Sequence, residues 1–495
     1  MAPAAFVSGL LCLLRPADAV FALLLLFLSS LAVQWATARG PMLWPVVGTI
    51  PSLFFHIHRV YDWVTESVAA AGGTFPYRGM WLTGSRGVIT VDPANVEHIL
   101  KTHFNNFPKG RYFRERFADF LGAGIFNADD CDWREQRRVA AVEMHSSLFA
   151  DYSAETVREI LHAKLLPFLR RLAGSGAAVD LQDVLLRFTF DNICATALGE
   201  DPGCLAGDRL PEVTFARAFE AATELSLFRF VVPPFVWKTM KLLSMGTERR
   251  LKLAVRTVHE FAEKTVSDRR EESRRNPGLP ERSDILSRLV IAGDGHPQFS
   301  DNFLKDFCIS FILAGRDTSS VALAWSSAAV ADEDEVAFTT GELKRMEYLQ
   351  AALTETMRLY PPVPVDLKEA AEGGELPDGA AVGKGARVIY SIYSMGRMEA
   401  IWGKDCLEFK PERWMTKEGG AFTAESPFKY PVFNGGLRLC VGKKFAYMQM
   451  KMVAAAVVLR YRVVVSEGQE VVPKMTTTLY MKNGLRVTVE PRKWE

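Results

Sequence analysis

Cys440 has the setting that points most directly to chemistry. It lies in Phe433-Asn-Gly-Gly-Leu-Arg-Leu-Cys-Val-Gly442, two residues after Arg438, and an apolar, helix-like stretch runs from Phe445 to Leu459 just beyond it. A thiolate offered from a glycine-rich loop at a helix N-terminus is favoured by backbone amides and by the positive end of the helix dipole. Those are the requirements of an iron ligand. In isolation the same residues also fit a buried structural cysteine beside a glycine turn, because free Cys is among the most buried residue types.

Three further sets carry possible chemistry. Ser300-Asp301 opens a long apolar helix through Phe303, Phe307, Phe311 and Ile312 into Ala314-Gly315-Arg316-Asp317-Thr318. A mid-helix glycine costs about 1 kcal/mol relative to Ala, so Gly315 needs a packing or functional reason. The Thr318 hydroxyl can donate back to the Ala314 carbonyl and open the helix, leaving a notch beside an acid and a hydroxyl. Glu355 and Arg358 lie three apart on the next periodic helix, and Trp133 and Arg137 four apart on an earlier one. Taken alone, such pairs are surface contacts contributing about 0.5 kcal/mol or less.

The elements that must position these residues are mainly helical. Strand-like runs at Tyr77–Leu82 and Gly87–Val91 precede Asp92-Pro93, an N-cap followed by Pro at the first helical position. From there to Arg270 the period is mainly that of a helix. Phe228-Arg-Phe-Val-Val-Pro-Pro-Phe-Val-Trp237 cannot be one regular helix; it suits either core between two helices or a lip dipping into a bilayer. Arg269–Arg282, with its Asn-Pro-Gly, reads as a solvated loop, and the tail from Thr476 as two strands joined around Asn483-Gly484.

Ala19–Ala36 is almost wholly apolar, about 27 Å long as a helix, which predicts an uncleaved membrane anchor within residues 1–40 and one catalytic body over 41–495. Pro41, Pro45 and Pro51 make a stiff exit from it. Lys plus Arg total 59 against 58 for Asp plus Glu, a balance of +1 that argues against a nucleic-acid partner. The seven cysteines are scattered and odd in number, as expected of a reduced compartment with one special thiol.

The cysteine loop resembles the haem-binding loop of the cytochrome P-450 family, the haem-thiolate monooxygenases, in Phe433, Gly436, Arg438, Cys440 and Gly442. The resemblance implies that family's fold, mainly α with a minor β sheet and an N-terminal membrane anchor helix. It makes Cys440 the proximal ligand of haem b, whose thiolate pushes electron density toward O–O cleavage. It lets the glycines pass close beneath the porphyrin and sets Arg438, Trp133 and Arg137 against haem propionates. Asp317 and Thr318 would deliver protons, with Ala314 and Gly315 forming the oxygen groove. Glu355, Arg358 and the Arg413 of Pro411-Glu-Arg-Trp would form a buried lock. Lys443, Lys444 and Lys451 suit a docking surface for NADPH-cytochrome P-450 reductase, which would bring electrons from NADPH through its flavins. The family's location would be the endoplasmic reticulum membrane, with a single-pass anchor and a cytosolic catalytic domain.

Phe107-Pro-Lys-Gly-Arg-Tyr-Phe-Arg, Leu121-Gly-Ala-Gly-Ile-Phe-Asn-Ala-Asp and Met395-Gly-Arg-Met-Glu-Ala-Ile-Trp-Gly narrow the resemblance to the plant fatty-acid omega-hydroxylases, most like the very-long-chain group that supplies suberin and cutin monomers. The implied reaction is O2-dependent hydroxylation of the terminal methyl of a fatty acid. Leu121, Phe126, Phe311, Val363, Val365 and Leu479 are the expected pocket residues, with Thr477–Leu479 as wall, and no residue declares itself the carboxylate anchor. Oxidation of an alkane or of an in-chain position is a rival. The chain departs from the family at Leu437, usually Pro, at Leu367, usually His in this branch, and near 326–342, where about thirty residues are missing relative to family helix and loop lengths. That shortening carries a further rival, a haem-binding but inactive chain.

Overall fold

The computed structural model describes residues 16–37, 40–79, 86–205, 210, 214–275, 284–292, 299–327, 346–416 and 420–492. The shortened stretch beyond Ser327, and residues 80–85 of the first strand pair, lie outside them. Within the described residues the fold is mainly α, as expected, with small sheets. The helix Pro16–Thr37 buries none of its apolar window and is apolar all round, and its 22 residues extend about 33 Å. That matches the hydrocarbon thickness of a bilayer, about 30 Å.

The strands are β1 Thr74–Arg78, β2 Arg86–Thr90, β3 Val179–Asp180, β4 Val365–Glu369, β5 Gly374–Glu375, β6 Ala381–Val382, β7 Arg387–Ser391, β8 Tyr461–Val465 and β9 Arg486–Pro491. The larger sheet has the order β1-β2-β7-β4, in which β2 and β7 are parallel and the other pairs antiparallel. It thus brings Arg387 of β7 within reach of the Tyr77 hydroxyl on β1, and sets Asp366 of β4 opposite Tyr390 of β7. Asp92 caps the next helix as expected, accepting the amide of Ala94 at 2.7 Å, with Pro93 at its start.

Two expectations fail here. No hairpin forms around Asn483-Gly484: β9 pairs antiparallel with β8 and β3, so its partners are Tyr461–Val465 and Val179–Asp180 rather than the residues across the turn. The Asp180 carboxylate accepts the Leu485 amide at 2.9 Å and sits where a Cβ on Gly484 would go. Residues 269–275 are not a loop but the end of the helix Gly246–Arg275. Arg269 is buried there, donating to the carbonyls of Leu198 and Gly199 at 2.9 and 3.0 Å. Its long stem packs inward while its guanidinium finds these carbonyls and the Glu272 carboxylate at 2.6 Å.

The helix Asp301–Ile312 continues through a widened π segment, Leu313–Asp317, into Thr318–Ser327, and the Ser300 hydroxyl caps it by accepting the Phe303 amide. Val321–Trp325 shares one apolar cluster with Leu353 and Met357 of the helix Glu347–Leu359 and with Met450 and Val453 of the helix Lys443–Arg460. These three helices therefore form one packed body. Trp325 stacks on Tyr360 at 3.9 Å and donates its indole N–H to the Leu479 carbonyl at 3.0 Å.

A buried charge set joins that body to the chain leading into the cysteine loop. Arg358 donates Nε and Nη2 to the Glu355 carboxylate at 2.7 and 2.8 Å, and Arg413 Nε approaches it at 3.4 Å. Lys410 N at 3.0 Å and Trp414 Nε1 at 2.8 Å complete its shell. Arg358 also donates to the carbonyls of Gly396, Cys406 and Glu408. The separation of 355, 358 and 413 thus closes into the expected lock. Glu355→Ala would leave Arg358 buried without its counter-charge and should cost about 3–5 kcal/mol. Arg413→Ala, at a longer contact nearer the surface, should cost less, which urea-unfolding midpoints of the two variants check.

Candidate active site

One cavity of about 700 Å³ gathers most of the chemistry-bearing residues. The segment Pro431–Phe433 and the loop through Arg438, Cys440, Val441 and Gly442 form one wall, and Leu313, Ala314, Gly315, Thr318 and Ser319 line another. Cys440 faces this interior space. Its amide donates to the Phe433 carbonyl at 2.8 Å, and Gly442 caps the helix Lys443–Arg460 that follows. Burial pushes the Cys440 thiol above its ordinary range, although the Gly442 backbone, Arg137 and Lys443 pull it down. A thiolate is the form in which this side chain would ligate a metal cation.

Gly436 has φ +56, and a Cβ there would collide with the backbone carbonyl of Leu100. The constraint at this position comes from the chain's own backbone. At Gly442, φ is negative and the nearest atoms are the Met144 methyl and the cysteine sulfur, so the space there is ordinary. Phe433 packs at 5.2 Å from the Tyr447 ring, with Lys443 over its face.

Arg438 lies over the Trp133 ring at 4.5 Å and donates to Asp129 at 2.8 Å and to the Ala128 carbonyl at 3.3 Å. Its Nε is buried without a partner. Arg137, half-buried on the same helix as Trp133, lines the cavity and makes no ion pair with a described residue. Two carboxylates unassigned from the sequence organise this corner. Asp129 also accepts the amides of Lys109 and Gly110 at 2.8 and 3.0 Å. Asp366 takes Lys109 Nζ at 2.6 Å, Lys368 Nζ at 2.8 Å, the Tyr390 hydroxyl at 2.6 Å and Asn434 Nδ2 at 3.2 Å. Burial would raise the Asp366 carboxyl, but Lys109 and Lys368 hold it well below its usual range. Burial lowers Lys368 to about 7 against the pull of that carboxylate. Asp129 closes the Leu121–Asp129 motif, which was the available signal for it; Asp366 is brought to Asn434 only by the sheet.

On the helical wall, Thr318 Oγ1 donates to the Ala314 carbonyl at 2.6 Å, the bond expected from their spacing. Widening to a π turn frees carbonyls, and hydroxyls take them: Thr189 and Ser320 reach the Arg316 carbonyl at 2.8 and 2.9 Å. Gly315 is required by packing, since a Cβ would strike the Ile193 side chain, and it also faces the cavity. Asp317 does not line the cavity. Its buried carboxylate is held by Arg316 at 2.7 Å, and burial pushes it above the ordinary carboxylate range against that pull.

Leu121, Phe126, Phe311, Val363 and Val365 all line the cavity. Leu479 does not: it is fully buried in the main apolar cluster, and Met475–Thr478 form that wall instead. The backbone turns at Thr478, so the tail offers its threonines inward and its leucine to the core. Phe230, Val231, Val232, Pro233 and Pro234 line the cavity while the flanking Phe228 and Phe235 are exposed, a lip rather than plain core. Of the three expected basic residues, Lys444 is exposed and Lys443 half-buried, but Lys451 is buried on the inner face of its helix and cannot belong to a docking surface.

A cysteine loop and a widened apolar helix lining one cavity inside this mainly helical fold define a haem-thiolate monooxygenase. The cytochrome P450 family model matches residues 38–489, and the chain belongs to that family. It is 46% identical to cytochrome P450 86B1 of Arabidopsis thaliana over 94% of this chain and 88% of that protein. It is 39% identical to cytochrome P450 94A1 of Vicia sativa over 91% and 90%, and 36% identical to alkane hydroxylase MAH1 of Arabidopsis thaliana over 90% and 92%. The membership and the plant branch expected from the sequence both hold.

The family carries haem iron on a cysteine thiolate, and the residues here fit that group. The Cys440 sulfur faces the cavity as a ligand for iron, while the orphaned Arg438 Nε and Arg137, which has no ion pair among the described residues, suit anions, as haem carboxylates would be. Cys440→Ala should abolish the red-shifted Soret band of the reduced CO complex. Gly436→Ala should sharply lower the haem-to-protein absorbance ratio, because the Leu100 carbonyl cannot yield without moving its helix.

Proposed function

We propose that this protein is an NADPH- and O2-dependent omega-hydroxylase of long- or very-long-chain fatty acids. The carrying observation is the apolar cavity that runs from Cys440 and Thr318 to the Phe230–Pro234 lip and on to Thr49, Ile50 and Leu53. Beside it the surface exposes Phe54, Phe55, Phe235, Leu242 and Leu243. A membrane-dissolved chain entering methyl-first meets mainly apolar walls on its way to the thiolate. The likeness to plant relatives, 46% identical for cytochrome P450 86B1, supports the same branch.

In this reading residues 1–40 form a single-pass anchor and hinge in the endoplasmic reticulum membrane, residues 41–495 form the cytosolic monooxygenase domain, and the lip rests in the bilayer surface. Cys440 ligates the iron, Phe433, Gly436 and Gly442 shape its loop, and Arg438, Trp133 and Arg137 bind the haem propionates. Haem held by this thiolate supplies the redox chemistry that activates O2. Thr318 presents its hydroxyl oxygen to the cavity beside Ala314 and Gly315, where it can hold a water and its proton. In this reading Asp317, paired with Arg316 at 2.7 Å behind that wall, is the second residue of proton delivery. Electrons come from NADPH through the flavins of NADPH-cytochrome P450 reductase, docked near Lys443 and Lys444.

The similarity to an alkane hydroxylase favours a second reading, oxidation of an alkane. Incubation with reductase, NADPH and a panel of fatty acids and alkanes decides: terminal hydroxy acids are expected, and products from the alkanes alone would reverse the order of the two readings. Thr318→Ala should lower hydroxylated product by tenfold or more, the low end of roughly 10²–10⁴ for a positioned proton donor being reduced by water rescue. NADPH consumption should persist, so product per NADPH falls.

A further inference from the structure

Arg116 is only 2% exposed, yet it lines the cavity. Its Nε donates to the Arg229 carbonyl at 3.0 Å and its Nη1 to the Tyr112 carbonyl at 2.9 Å, both neutral acceptors. A guanidinium has five N–H groups, so three are left without a hydrogen-bond acceptor among the described residues, on a side chain that lines the cavity. The nearby carboxylates are engaged elsewhere. Glu115 pairs with Lys238 at 2.5 Å, Asp119 with Arg229 and Lys241 at 2.8 Å, and Glu369 accepts the Tyr112 amide at 2.9 Å.

Arg116 does not stand alone. The Tyr112 ring has the Arg116 guanidinium 3.4 Å from its centroid and that of Arg387, also buried, at 3.9 Å. Arg387 in turn donates to the Tyr77 hydroxyl at 3.2 Å. Burial, with a contribution from Arg387, pulls Arg116 below its ordinary value. A buried cation whose partners are two carbonyls and two aromatic rings, with no carboxylate in hydrogen-bond contact, is costly, and an anionic guest relieves that cost.

Its position suits one end of a long guest. Arg116 touches Tyr112, Phe230 and the Arg229 carbonyl, all on the lip side, and none of these belongs to the cysteine loop or the helix after it. Phe113, Phe117 and Leu121 continue along the same helix as apolar cavity wall. We propose that the Arg116 guanidinium binds the carboxylate of the substrate and so presents the methyl end to the haem side. This rests on the fatty-acid reading above and deepens it by naming the residue that sets chain direction.

The test compares a fatty acid with its methyl ester, which keeps the chain and removes the charge. Spectral titration of the haem-loaded full chain gives a Kd for each, and their ratio cancels any general loosening of the pocket. Arg116→Leu should shift the acid-to-ester ratio by at least tenfold toward the ester, Arg116→Gln should behave similarly, and Arg116→Lys should stay within about threefold of the native ratio, since only a charged donor makes the stronger, charge-assisted hydrogen bond that the ester lacks. Should Arg116→Leu load no haem, the Gln and Lys pair decides. An unchanged ratio in the neutral variants, or an equal shift in Lys, overturns the assignment. A native enzyme that hydroxylates fatty acids at the terminus while Arg116→Gln keeps the native ratio refutes the anchor alone. A native enzyme that makes no hydroxy acid from any fatty acid refutes the reading beneath it.

Discussion

Everything at the proximal side hangs on one buried carboxylate. Glu355 receives donors from its own helix through Arg358, and from Lys410, Arg413 and Trp414, which lie on the short 3-10 turn Pro411–Trp414 and the residue before it. A single turn has little ladder of its own to fix its position, so a charge without water to fall back on does that instead. The cost of taking Glu355 and Arg358 out of water is offset only when every donor arrives. That makes the arrangement nearly all-or-none, which suits a segment that must deliver a ligand loop to one place.

The cavity corner near Arg438 uses the same physics with a different outcome. Asp129 and Asp366 satisfy Lys109, Lys368 and most of Arg438, and the balance that remains is positive, in Arg137 and the unpaired Arg438 Nε. A charge set that closes on itself locks structure, as at Glu355; one left open by a few N–H groups recognises an anion. The distal helix shows a polar counterpart: a π turn frees carbonyls, and Thr189, Thr318 and Ser320 occupy them, keeping the widened turn stable inside an apolar helix.

What could be read in advance divides by sequence distance. The Thr318 to Ala314 bond, the Ser300 and Asp92 caps, the apolar helix at Pro16–Thr37 and the cysteine loop are local, and short-range geometry is visible in residue spacing. The partner of β9 was not, because strand pairing is set by long-range contacts and the Asn-Gly signal at 483–484 competes with a stronger pairing to β8 and β3. Lys451 and Arg269 misled because a long charged side chain reads as solvent-facing until the carbonyls or helix neighbours that receive it are known. Asp366 lay hidden in an ordinary strand, and only β4 against β7 brings it to Tyr390 and Asn434.

Gly436 carries a last lesson. The atom that forbids a side chain there is the carbonyl oxygen of Leu100, which every amino acid possesses. Position 436 is therefore held to glycine by a neighbour whose own identity is unconstrained by the contact. In a comparison across relatives such a pair would leave one invariant column and one freely drifting column. Methods that infer proximity from correlated substitution are blind to it, and contacts made by main-chain atoms as a class escape them in the same way.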